Sequence, residues 1–139
     1  MKYITGIHGL NIENSKETCG DWHCSALYWD DNNIDFRESN DSIFGDWGIE
    51  LNKHIPEHDG TYAVADDLRS ILDLMVSGST RYLIGFRDDF ICTDKYNEEF
   101  MEKVWMLKGT EHWKDIDARM RSEFMQLWVD FHKKKENSK

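Results

Sequence analysis

The sequence predicts an α+β domain in which a small, mainly antiparallel sheet packs against three helices. Three observations carry that expectation. The first 60 residues mix β-branched and aromatic side chains with dense turn signals. Beyond Pro56, the only proline, apolar residues recur with helical period. The last quarter holds the clearest stripe in the chain: Trp113, Ile116, Met120, Phe124, Leu127, Trp128 and Phe131 fall on one helical face. A chain of 139 residues fits one domain, expected over 1–135 with a frayed tail over 136–139.

Taken in order, Tyr3 to Leu10 predicts a first strand with a bulge at its glycines. Ser25 to Trp29 predicts a second, and Asp30-Asp31-Asn32-Asn33 a turn into the alternating Ile34-Asp35-Phe36-Arg37, so the two form a hairpin. Ile49 to Leu51 adds a short pairing segment. Val64, Leu68, Ile71, Leu72 and Met75 predict a first helix over about 62–77, with Thr61 as cap and Gly78 as stop. Residues 81–92 read as a second hairpin turning at Arg87-Asp88-Asp89. A second helix follows over about 94–108, capped by Thr93 or Asp94, striped by Tyr96, Phe100, Val104 and Leu107, and ended at Gly109. The third runs over about 111–134 as the central core helix, its three C-terminal lysines complementing the helix dipole.

The net charge of −10 is unevenly placed. Residues 1–60 carry four basic and twelve acidic side chains, a charge of −8, against −2 for the rest. Such a surface disfavours direct nucleic-acid binding, which draws on Lys and Arg neutralising phosphates, and suits a basic protein partner. Three cysteines in a chain of this size are expected as reduced thiols. No apolar run reaches the length of a membrane span and no leader-like core opens the chain, so a cytoplasmic location is expected.

One sequence feature recurs. Gly20-Asp21-Trp22 is repeated as Gly45-Asp46-Trp47. Glycine accepts positive φ, aspartate accepts hydrogen bonds from amides, and tryptophan packs behind the turn, so the pair reads as two tight corners. As a plain structural device they would bury both indoles. As a binding device, Asp21, Trp22, Asp46 and Trp47, with Asp30 and Asp31, would offer aromatic anchors flanked by steering carboxylates.

Catalytic and metal motifs read weakly. His54-Ile55-Pro56-Glu57-His58 has the inverted zinc-protease spacing, but Pro56 opposes the helix that must present both imidazoles. Cys19, His23 and Cys24, with His8, are zinc-ligand types without zinc-module spacing. A cysteine nucleophile paired with His8 or His23, or a cation held by Asp88, Asp89 and the corner aspartates, has no local signature. No cofactor, catalytic residue or metal ligand is expected. By size, charge and aromatic content the chain resembles bacterial and phage antitoxins, immunity proteins and inhibitors, an association of class alone. The first expectation is therefore a non-enzymatic protein that neutralises or regulates a basic partner. The second is a small hydrolase or metal-dependent nuclease using the corner aspartates or a Cys/His pair.

Overall fold

The computed structural model describes residues 1–19 and 27–138. Strand β1 (Lys2–Ile4) lies inside a four-stranded sheet of order β2-β1-β4-β3, formed with β2 (Phe36–Glu38), β3 (Ile49–Lys53) and β4 (Tyr62–Ala65). β1 runs antiparallel to β2 and parallel to β4, and β3 runs antiparallel to β4 with a bulge between Glu50 and Lys53. One helical turn, α1 (Gly6–Gly9), follows β1. Four longer helices complete the α+β fold: α2 (Asp67–Val76), α3 (Asn97–Trp105), α4 (Trp113–Phe124) and α5 (Gln126–Asn137). None is long and apolar enough to cross a membrane among the described residues.

Side-chain alternation along β1 divides the core. Ile4 points away from α2 and joins Val64, its register partner on β4, in a cluster with Ile12, Trp29, Ile34 and Ile55. Tyr3 points the other way, toward α2 and the larger helical core, which holds Leu68, Ile71, Phe86, Phe100, Phe124 and Trp128. Phe86, Phe100 and Phe124 meet there with ring centres 5.7–6.1 Å apart.

Several expected elements are different in the structure, each for a visible reason. The strand expected over Tyr3–Leu10 ends at Ile4, because Gly6 at φ 64° turns the chain into α1. The Ser25–Trp29 and Ile34–Arg37 hairpin is not formed: Ser25 and Ala26 lie outside the described residues, 27–29 is not a strand, and β2 pairs with β1 instead. Residues 62–65 are strand, not the first turn of a helix; the cap is Asp66, whose carboxylate accepts from the Arg69 amide at 2.9 Å. In residues 81–92, a 3₁₀ turn (Thr80–Leu83) and one wide π-type turn (Arg87–Ile91) replace the hairpin. The Glu123 carboxylate takes the amides of Gly85 and Arg87, at 3.0 and 3.1 Å, that a strand ladder would need.

The single long C-terminal helix is two helices. Met125, at φ 50° and ψ −122°, separates α4 from α5. Trp128 Nε1 donates to Asp117 at 2.8 Å and His132 Nε2 lies 3.1 Å from the same carboxylate. Residues eleven and fifteen apart on a straight helix would be separated by roughly 16 and 22 Å. The break folds α5 back, so Trp128 and Phe131 are buried against Trp105 while Leu127 is exposed.

Met125→Gly separates the two descriptions of this region. At a broken helix with positive φ, glycine should raise stability by about 0.5–1 kcal/mol, whereas in a continuous helix it would lower it by about 1 kcal/mol, as read by urea denaturation. Trp128→Ala should cost about 3–5 kcal/mol in the same assay.

Candidate functional site

The second Gly-Asp-Trp corner is held from below by Arg69. This side chain is fully buried on α2, and its Nη1 donates to the carbonyls of Gly45 and Trp47 at 2.8 and 2.5 Å. Its Nε donates to Asp73 at 3.1 Å and its Nη2 to the Tyr3 hydroxyl at 3.0 Å. Tyr3 and Thr5 in turn each donate to Asp73 Oδ2 at 2.7 Å. Burial, then the Asp73 charge, holds the Tyr3 phenol well above its ordinary pKa, so it stays a proton donor to that carboxylate.

With the carbonyls of Gly45 and Trp47 turned inward, Asp46 between them is exposed. Trp47 is half-buried against the helical core, with the ammonium groups of Lys16 and Lys103 at 5.5 and 4.9 Å from its ring centre. The first corner, Asp21 and Trp22, lies outside the described residues, as do His23 and Cys24.

Asp30 and Asp31 are both exposed in the turn that the sequence predicts, closed by the Asn33 amide donating to the Asp30 carbonyl at 2.9 Å. The structure adds a neighbour. His58 Nε2 donates to the Trp29 carbonyl at 2.5 Å and lies 3.8 Å from Asp31 Oδ1, which sets the exposed Glu57 and Asp59 beside this turn. The exposed Tyr28 stands at the same place, its carbonyl accepting from His8 Nε2 at 2.9 Å.

The other candidate groups are in separate places. His54–His58 is not helical; His54 Nδ1 donates to the Gly60 carbonyl at 3.1 Å, and Tyr62 donates to His58 Nδ1 at 3.2 Å. His8 is buried edge-on to Trp29. Asp88 and Asp89 are exposed on the π-type turn.

The expectation of reduced thiols is corrected: Cys19 and Cys92 form a disulfide, with Cα atoms 6.1 Å apart. Neither is a thiolate nucleophile or a metal ligand in this state. Parity forbade pairing all three cysteines, but two distant ones are brought together when the 13–19 segment docks on α2. Lys16 reaches Asp66 at 2.5 Å and Thr18 donates to Asp67 at 2.5 Å. Among the described residues no three His, Cys, Asp or Glu side chains converge as metal ligands.

The sequence reading missed Arg69 and the adjacency of the two acidic turns. Arg69 and Asp73 do stand four apart beside an apolar stripe, the spacing of a helical ion pair. Nothing local marks that pair as buried. No family model matches this chain, no curated protein matches it, and no solved structure matches it. Function therefore rests on the site's own chemistry.

The two halves of the corner should separate on substitution. Trp47→Ala should lower stability by about 2 kcal/mol through lost packing and cation–π contact, and Asp46→Lys should change it by less than about 0.5 kcal/mol, both read from urea melts. The disulfide has its own check. Alkylation in denaturant should label one thiol per chain before reduction and three after, counted by intact mass.

Proposed function

We propose that the chain is a non-enzymatic binding protein that neutralises or regulates a basic protein partner. One observation carries the reading: all four cationic side chains of residues 1–60 are engaged internally, while many of the carboxylates are not. Lys16 pairs with Asp66, Arg37 with Asp35 at 2.9 Å and Lys53 with Glu50 at 3.3 Å, and Lys2 lies 4.2 Å over the Phe36 ring. Asp30, Asp41, Asp46, Glu57 and Asp59 are exposed, with no Lys or Arg of the described residues in salt-bridge range. The negative charge of this half is thus presented to solvent and not cancelled at home.

Such a field acts mainly on encounter. It is screened over roughly 8 Å at physiological salt, so it speeds association with a basic partner and contributes less to holding the complex. Asp30, Asp31 and Asp46 are the steering groups of this reading, with Asp21 and Trp22 of the first corner as further members. The compartment belongs to it too. The sequence points to the cytoplasm, whereas the Cys19–Cys92 bond suits an oxidising environment.

Affinity capture from the native host tests the proposal. The immobilised chain should retain basic proteins at about 50 mM salt, with retention falling at least tenfold at about 500 mM and in an Asp30→Lys, Asp31→Lys, Asp46→Lys variant of unchanged melting temperature. Retention of no basic protein, or equal retention by the variant, overturns it.

A further inference from the structure

A groove of about 500 Å³ opens between the loop after β2, the C-terminal end of α2 and the segment that follows α3. Its floor is the Tyr3–Asp73 pair, and its walls are Ile43, Val76 and Leu107. Ile43 and Val76 are 54% and 45% exposed, large apolar groups left at the mouth of one groove. Isolated exposed aliphatics are ordinary on a protein surface; two flanking a concave site lined by Leu107 make an anchoring place for an apolar side chain.

The rim has a definite charge preference. Glu38 already holds a primary ammonium, that of Met1, which also reaches Ser39 Oγ at 3.1 Å. Asp41 lies on the rim three residues further on. It is exposed, with no salt-bridge partner among the described residues. Among the described residues the one cationic side chain lining the groove, Arg37, is taken up by Asp35 at 2.9 and 3.0 Å and by the Asp73 carbonyl at 2.7 Å. The site therefore joins an apolar slot to a carboxylate, Asp41, open to an incoming cation.

We infer that this groove is where the basic partner docks, by a segment that places an aliphatic side chain between Ile43, Val76 and Leu107 and a neighbouring Lys or Arg against Asp41. The inference rests on the functional reading above and narrows it to a place and a sequence chemistry. An all-polar basic segment would satisfy the carboxylate and leave the slot empty. An acidic or neutral aliphatic segment would meet the rim unfavourably. A segment carrying both chemistries engages both, and its apolar anchor supplies specificity that a charge field alone does not.

The probe is a blocked synthetic peptide, Lys-Leu-Lys-Leu-Arg, titrated into the isotopically labelled chain at low salt, with Lys-Ser-Lys-Ser-Arg and Glu-Leu-Glu-Leu-Glu as controls. Amide shifts should concentrate at Ile43, Val76 and Leu107, and the leucine peptide should bind about tenfold more tightly than the serine peptide and far more tightly than the acidic one. Val76→Asp and Asp41→Lys should each weaken it at least about fivefold, with melting temperature unchanged. Equal binding of the two basic peptides at the Asp30–Asp31 and Glu57–Asp59 turns would overturn the groove and leave the basic-partner reading standing. Binding of neither basic peptide anywhere would remove both. A concentration-dependent mass in sedimentation, abolished by Ile43→Asp, would give the groove to a second copy of the chain and overturn the inference.

Discussion

The buried guanidinium of Arg69 is the constraint on which the rest of the arrangement depends. Removing a charge from water costs several kcal/mol unless partners replace its hydration, and here they come from three different segments. Asp73 supplies the counter-charge, Tyr3 of β1 a hydroxyl, and Gly45 and Trp47 two carbonyls. Strand, helix and corner thereby share one set of hydrogen bonds, and none can shift without leaving a buried donor unsatisfied. The packing is tight enough to dictate a neighbouring residue. A Cβ on Gly48, at φ 77°, would stand 2.7 Å from the Arg69 Cβ, so the corner closes only with glycine there.

The same network sets the outer surface. The carbonyls on either side of Asp46 are drawn down to Arg69, and the aspartate between them faces solvent. Because Asp73 is drawn into the sheet by Tyr3 and Thr5, the end of α2 is fixed over β1, and Val76 stands beside the loop that carries Asp41 and Ile43. A polar core thus does two things at a distance: it presents a carboxylate and it holds open an apolar slot. On the opposite side of the sheet, His58 plays a smaller version of this part, tying the Trp29 carbonyl to the 57–60 turn and setting two acidic turns side by side.

Much of the architecture is legible from local chemistry. The apolar spacing of α3 and the positive-φ glycines Gly78 and Gly109 beyond α2 and α3 follow from period and backbone freedom, and both appear in the structure. Legibility ends where a distant group decides. Val64 and Leu68 are four apart and mimic one helical face, yet Val64 belongs to a strand because β1 and β3 are available to pair with it. Residues 81–92 have strand-like composition, but their amides are claimed by Glu123, nearly forty residues on. The apolar stripe from Trp113 to Phe131 keeps helical period across Met125, so the break is silent in the pattern; it is imposed by Asp117 capturing Trp128 and His132 from α5. The candidate site divides in the same way. Exposed turn aspartates were readable, whereas the disulfide, the buried arginine and the groove are made by contacts between segments 22 to 73 residues apart.

These contacts also separate what the repeated Gly-Asp-Trp step joins in sequence. An aspartate followed by a tryptophan invites a single role, an aromatic anchor with its steering charge. In the second corner the indole is committed to the fold, packed on the helical core and approached by the chain's own Lys16 and Lys103. The carboxylate is exposed, and the indole only in part. An interface built here needs its buried apolar area from elsewhere, because charge steers an encounter but contributes little to residence once salt screens it. The groove offers such area from aliphatic rather than aromatic side chains of separate parts of the chain, Ile43 before the corner and Val76 at the end of α2, above the buried Leu107 after α3. No linear motif can encode that combination, since it exists only when the Arg69 network has brought corner, sheet and helix together.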